Sequence, residues 1–406
     1  MENKNPPKNF VPHPFDYRQQ IELDIDDINN LGAGVGRIDG WVVTVRGALG
    51  GERVRAAVYK NHKNYSEADL LKVVRASPQR VKPACPLYGE CGGCQYQHLS
   101  YEGQLEWKRK QVADAMKRIG GISADVKPTR PSPLQYGYRS KLTPHYEKPR
   151  GEKMPIGFVR NGRRKELVDV PHCPIASPTI NEALPNVRAK LLARAHKLKR
   201  GGTLLLRDCI EGVCTDATSS VTEIVSGVSY QFCAGEFFQN NPHILPELVE
   251  YAISQAAGPR FLIDAYCGVG VFALAAADRF EYVSGVEISS KAIVCANANA
   301  RINNKRNCEF TMGKAEAIFQ NAARKFPPSD CAAIIDPPRS GCDKSFLEQL
   351  VDFAPARIVY VSCAPDTQAR DLAFLCANNY SLLELQPFDL FPQTRHIENV
   401  ATLFKA

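Results

Sequence analysis

Residues 260–277 read RFLIDAYCGVGVFALAAA, and this stretch decides the fold. Phe261 to Ala265 is a short apolar run of the strand kind. Gly268 and Gly270 break it, and an apolar stretch with helical character follows at once. Strand, glycine loop and helix in that order open a doubly wound α/β domain. The pattern then repeats: YVSGVEIS (282–289) reads as a strand, KAIVCANANARINN (291–304) as a helix and CAAIIDPP (331–338) as a strand. KSFLEQLVDFA (344–354), RIVYVSC (357–363) and DTQARDLAFLCAN (366–378) continue as helix, strand and helix, with ILPELVEYAISQAA (244–257) as a helix ahead of them. Such alternation predicts a parallel sheet with right-handed crossovers, a Rossmann-like α/β domain over residues 241–406.

Three devices punctuate its carboxyl half: IIDPPRSGCD (334–343), YVSCAPDTQARDL (360–372) and FPQTRHIENV (391–400). Cys363 closes an apolar strand, so its sulfur should project from the sheet edge where open α/β folds keep their active sites. Glu398 follows a turn and opens a further strand, NVATLF, which can bring it to the same edge. A thiol nucleophile with a carboxylate base suits methylation of a pyrimidine ring carbon. Carbon 5 of uracil is a poor nucleophile until a thiolate adds at carbon 6. After methyl transfer a base must remove the carbon-5 proton so that the thiol can leave. An arbitrary cysteine is most often a buried apolar residue. The flanking turns and the downstream HIE favour the catalytic reading for Cys363.

Charge is unevenly distributed. The chain of 406 residues carries a net +8, yet residues 126–204 hold 17 basic against 5 acidic side chains. YGYRSK, RNGRRK and RAHKLKR lie in this stretch, and such an excess fits a polyanion partner. Tyr136, Tyr138 and Tyr146 interleave with Arg139, Lys141 and His145, an arrangement suited to stacking on unpaired bases. No run of about 18 apolar residues occurs, which argues against a membrane helix. The first residues, MENKNPPKNFVPHPF, form no signal peptide and read as a disordered tail over 1–15. Fourteen cysteines in a chain of cytoplasmic character suggest metal or catalysis rather than disulfides.

Residues 16–77 show short β-rich runs between glycine turns, the pattern of a small OB-like barrel. Gly32, Gly34 and Gly36 mimic a dinucleotide loop, but no helix pattern follows them. Residues 78–125 hold Cys85, Cys91 and Cys94 at C-x5-C-x2-C spacing, then a helix over 101–119. With Cys173, from VPHCPIASP, they can close a four-thiolate site, for which spacing alone leaves zinc and an iron–sulfur cluster open. Residues 126–240 read as a basic, β-rich central region suited to RNA.

On the Cys363 and Glu398 motifs, the chain resembles the RNA uracil-C5 methyltransferases. The first unit, with GAGVGRIDG and GALGGERV, is similar to a TRAM domain. The resemblance implies a class I methyltransferase that uses S-adenosylmethionine, with Cys363 as nucleophile and Glu398 as general base. DAYCGVG matches the family's DLYCGxG loop and FFQNN its FFQxN element. This implies that Gln239, Tyr266, Glu287 and Asp336 contact the cofactor, Glu287 through the ribose. It also implies a [4Fe–4S] cluster on Cys85, Cys91, Cys94 and Cys173, a cytoplasmic monomer, and structured RNA as substrate, ribosomal favoured over transfer RNA. Two departures are visible: Ala364 replaces the family's Asn after the nucleophile, and Lys314 in GKAEAI replaces a frequent acidic residue.

Two rivals remain. A base amino-group methyltransferase also ends a strand in D/N-PP, but it follows with an aromatic residue where this chain has Arg339, and it needs no thiol. A non-catalytic RNA-binding module would leave Cys363, Glu398 and the glycine loop without a role.

Overall fold

The computed structural model describes residues 6–149, 154–314, 319, 322 and 324–406. Positions 315–318 of the GKAEAI stretch lie outside the described residues. The described chain forms two compact units. The first runs to Trp107 and adds Val159–Glu166 and Gln393–Arg395; the second holds Lys108–Phe158, Leu167–Pro392 and His396–Ala406.

The first unit is built on a closed five-stranded barrel: β1 (Gln20–Ile28), β2 (Ala33–Ile38), β3 (Trp41–Arg46), β4 (Arg53–Asn61) and β5 (Tyr65–Arg75), in the order β1-β2-β3-β5-β4. Ile21, Leu23 and Ile25 alternate with exposed residues along β1 and fill the barrel with Val43, Val45, Val54 and Val58. Gly36 belongs to β2 and to no nucleotide loop. A Cβ there would stand 2.2 Å from the Asp24 carbonyl oxygen of β1. The tail expectation for residues 1–15 needs correction at its end. The Asn61 side chain donates to the carbonyls of Val11 and Phe15, each at 2.7 Å, and Phe15 is buried in the barrel core.

In the second unit the central region is β-rich as expected. Its strands are β6 (Lys141–Leu142), β7 (His145–Tyr146), β8 (Ile156–Arg160), β9 (Arg163–Asp169), β10 (Gly202–Thr203), β11 (Leu206–Cys209), β12 (Gly212–Cys214), β13 (Ser220–Val225) and β14 (Val228–Cys233), of which Val159–Arg160 of β8 and Arg163–Glu166 of β9 count with the first unit. Two helices accompany these strands in sequence, α1 (Tyr101–Arg118) before them, with Val112 and Met116 in the core of the following α/β sheet, and α2 (Pro178–Ala193) between β9 and β10. The stacking role expected of Tyr138 is not available. Its ring is fully buried, and its hydroxyl donates to the Pro392 carbonyl at 2.9 Å.

The rest of this unit carries α3 (Leu245–Gln255), β15 (Phe261–Ala265), α4 (Val271–Ala276), β16 (Tyr282–Glu287), α5 (Ser290–Ile302), β17 (Cys308–Met312), β18 (Cys331–Ile335), α6 (Lys344–Phe353), β19 (Arg357–Ser362), α7 (Pro365–Ala377), β20 (Tyr380–Phe388) and β21 (Glu398–Lys405). These strands form one seven-stranded sheet, β17-β16-β15-β18-β19-β21-β20. Strands β15 to β19 run parallel, with all-apolar runs such as CAAII in β18 buried on both faces. Strand β21 departs from the expected parallel sheet: it is antiparallel to both β19 and β20. The loop 389–397 joins β20 to β21 without a crossover helix, and a connection that short allows only an antiparallel return. Strand order reverses between β15 and β18, which places a crevice at their carboxyl ends.

Candidate active site

Strand register brings the candidate nucleophile and base together. Ser362 pairs with Asn399 at the end of the β19–β21 ladder, so Cys363, the next residue, faces Glu398, the preceding one. Residues opposed in this way hold their Cα atoms about 4.5–5.5 Å apart. Strand β18 lies on the other side of β19, and Asp336 directly follows its last residue. Three neighbouring strands thus deliver a thiol and two carboxyls to one edge.

Electrostatics couple these groups. Burial raises the Cys363 thiol to about 11, and Glu398 and Asp336 add to the rise. The nearby Arg339 guanidinium opposes it. Glu398 is 2 % exposed, and burial, then the Asp336 charge, lifts it well above the carboxylate range against the pull of Arg339. Desolvation raises Asp336 to about 7. Nη2 of Arg339 lies 3.2 Å from Nδ1 of His396. A guanidinium only donates, so this imidazole nitrogen accepts.

A folded pKa raised above the unfolded one costs stability as pH climbs from the unfolded value, about 4, to the folded one, and the loss is complete above it. Asp336→Asn should therefore raise the melting temperature at pH 8 by roughly 2–4 °C. At pH 3.5, where the carboxyl is neutral in both the folded and the unfolded chain, it should change little. Thermal scans at both pH values check this, and equal shifts would remove Asp336 from the coupled pair.

The glycine loop after β15 is tightly formed. Tyr266, Gly268 and Gly270 all have positive φ, at 67°, 55° and 91°. Such a value is unusual for tyrosine and marks a constrained loop. Tyr266 packs edge-on against Phe346 at 5.4 Å. Glu287 ends β16, and its carboxylate accepts from the backbone N–H of Gly268 (3.2 Å) and of Ser289 (2.8 Å). It keeps lone pairs for a further donor, as a ribose hydroxyl would be. Gln239 is half-buried between two anchors. Phe238 stacks on Phe232 at 4.6 Å, and buried Asn241 donates to Ser132 Oγ and the Leu390 carbonyl, each at 3.0 Å.

Several contributing residues escaped the sequence reading. Asp264 is wholly buried, pushed up to about 8 by burial, and accepts from the Ala273 N–H at 3.0 Å at the start of α4. Gln368 and Asn399, both fully buried, are bonded at 2.8 Å and tie α7 to the strand bearing Glu398. Arg339 had a signal in its place directly after DPP, whereas His396, Gln368 and Asn399 act only through tertiary contacts. The alanine after the nucleophile leaves α7 without a side-chain cap, and the Ala364 N–H donates instead to Ser362 Oγ at 3.1 Å.

Cys85, Cys91 and Cys94 share a loop of the first unit, while Cys173 belongs to the second. Among the described residues, no group of three or more His, Cys, Asp or Glu side chains stands close enough to hold a metal ion. The loop closes instead on its own bonds: Tyr88 N–H to the Cys85 carbonyl (3.1 Å), Cys91 N–H to the Leu87 carbonyl (2.9 Å) and Cys85 N–H to Gln97 Oε1 (2.9 Å). Cys173 is likewise tied to α2, exchanging two 2.9 Å bonds with the Asn181 side chain.

Comparison with known proteins shows the family. Residues 216–406 match the family model tRNA (Uracil-5-)-methyltransferase, and residues 16–71 match the TRAM domain. A tRNA (uracil(54)-C(5))-methyltransferase of Schizosaccharomyces pombe is 41% identical over 97% of this chain and 79% of the relative. The Saccharomyces cerevisiae protein of the same name is 32% identical over 97% and 75%. The chain belongs to the RNA uracil-C5 methyltransferase family. A solved structure of the Pyrococcus abyssi tRNA (uracil-54, C5)-methyltransferase, in complex with S-adenosyl-L-homocysteine, aligns with a TM-score of 0.71 and 26% identity. It covers 94% of this chain and 100% of that one. As a family member the protein is an S-adenosylmethionine-dependent enzyme that methylates uracil carbon 5 in RNA, with an N-terminal TRAM barrel. Among the described residues, no helix is long and apolar enough to cross a membrane.

Proposed function

We propose that the protein methylates a uridine of transfer RNA at carbon 5 through a covalent Cys363–carbon 6 adduct. The observation that carries this reading is the register that sets Cys363 opposite Glu398. S-adenosylmethionine, when bound, supplies the electrophilic methyl group. Gln239, Tyr266, Glu287 and Asp336 are the residues we assign to hold it, in the crevice at the carboxyl ends of β15 and β18. The Cys363 thiol gives up its proton to solvent, the thiolate sulfur adds to carbon 6, and the displaced ring electrons make carbon 5 nucleophilic. Once carbon 5 carries both methyl and hydrogen, Glu398 takes that proton. The carbon 5–carbon 6 double bond reforms and the sulfur leaves as thiolate. The raised basicity of the Glu398 carboxyl suits abstraction from carbon. The Arg339 charge offsets the two carboxyls around the sulfur.

The expectation of a ribosomal substrate gives way to transfer RNA because the relatives with assigned substrates are named for uracil 54 of tRNA. Incubation with labelled methyl donor and unmodified transfer or ribosomal RNA, followed by nucleoside analysis, tests the choice. We expect 5-methyluridine in the transfer RNA, and label confined to ribosomal RNA would overturn it. Cysteine spacing and the family resemblance are the support for a [4Fe–4S] cluster on Cys85, Cys91, Cys94 and Cys173, with zinc as the alternative. Metal analysis of anaerobically purified protein checks it: iron in several equivalents is expected, zinc alone would replace the cluster, and no metal would remove the site.

A further inference from the structure

Loop 339–342 follows DPP and carries Arg339, yet helix α7, which starts just after the nucleophile, fixes its path. Thr367 Oγ1 lies 3.1 Å from the Arg339 carbonyl oxygen. Nη2 of Arg370 donates to the carbonyls of Ser340 (3.0 Å) and Cys342 (3.3 Å). Asp371, fully buried, accepts from the Cys342 N–H at 2.8 Å, from the Tyr360 hydroxyl at 2.7 Å and from Arg370 Nε at 2.8 Å. The fit leaves no room for a side chain at Gly341. Its φ is +76°, and a Cβ would stand 2.6 Å from both Arg370 Nη2 and Asp371 Oδ2.

We propose that Thr367 and Arg370 are positioning residues which hold loop 339–342 so that the Arg339 guanidinium stays against the Cys363 sulfur. The proposal rests on the covalent reading above and names what keeps its nucleophile usable. Arg339 is a long, exposed side chain, and free rotation would take its charge away from the thiol. The groups facing Cys363 are then Glu398 from β21 and Asp336 from the end of β18, both of which oppose a thiolate. Behind Arg339 stands His396, which steers the guanidinium but cannot fix the backbone it hangs from. Arg370 and Asp371 neutralise each other on α7 and so act through geometry rather than net charge.

The test is the pH dependence of covalent capture by a 5-fluorouridine-substituted transfer RNA, for the unsubstituted protein, Thr367→Val, Arg370→Met and Thr367→Ser. Both disrupting variants should capture about tenfold more slowly at pH 7.5, with the profile displaced upward by about one pH unit. Cofactor affinity should hold, and serine should restore the original profile by keeping the hydroxyl. Lower capture at every pH with an unmoved profile would show a merely structural role and overturn the proposal, as would unchanged capture. If one disrupting variant fails to fold, the other decides by the same two outcomes; if both fail, the role is structural and the proposal falls. No capture by the unsubstituted protein would instead overturn the covalent reading itself, and the proposal with it.

Discussion

Cys363→Ala should abolish methyl transfer, by at least about a thousandfold in kcat, while leaving affinity for S-adenosylmethionine near normal. The thiol stands at the end of β19 opposite Glu398, whereas the residues assigned to the cofactor come from the ends of β15, β16 and β18 and from the 237–241 segment. Without the sulfur no route activates carbon 5, because none of its neighbours is a comparable nucleophile. Single-turnover methylation and equilibrium cofactor binding separate the two functions. Turnover above a few per cent of the original rate would remove Cys363 from the chemistry, and loss of cofactor binding would show that the substitution had damaged the fold.

Glu398→Gln should fail differently. An amide keeps the shape and fills the same buried space, so addition of Cys363 and methyl transfer can proceed. Proton removal from carbon 5 then has no base, and the protein stays joined to its methylated RNA. Turnover should fall by roughly a hundred- to ten-thousandfold, the usual worth of a placed general base. A protein–RNA species that survives denaturation should accumulate with ordinary, unfluorinated RNA. Full turnover without accumulation would take Glu398 out of the mechanism.

How legible each part was follows from where its determinants lie. Four of the five parallel strands could be read because they are largely apolar runs, such as IVYV before Ser362, closed by a glycine, proline or polar turn, whereas β17, CEFTM, has no such run and was missed. Cys363 and Glu398 were visible for the same reason, since each adjoins a strand end. The antiparallel return of β21 was missed because direction depends on what connects two strands, and loop 389–397 carries no periodic signal. Tyr138 misled because an aromatic among basic residues resembles a stacking surface, while its partner carbonyl belongs to Pro392, far along the chain. Gly34 and Gly36 were rightly kept out of the cofactor site, though their cause, the close approach of β1 and the 48–52 turn, shows only in three dimensions. Arg339, Thr367, Arg370 and Asp371 form a connected set only because α7 packs back onto the DPP loop. That is a tertiary relation which no local pattern encodes.

The central claim is that Cys363 bonds to carbon 6 of the target uridine. The most direct test uses transfer RNA bearing 5-fluorouridine with S-adenosylmethionine, because Glu398 cannot remove fluorine from carbon 5 and the adduct cannot resolve. After denaturation, nuclease and trypsin digestion, mass spectrometry should find the methylated fluoronucleotide on the peptide from Ile358 to Arg370, bonded to Cys363. A crosslink on any other cysteine, or 5-methyluridine formed from ordinary RNA with no crosslink to the fluorinated one, would contradict it.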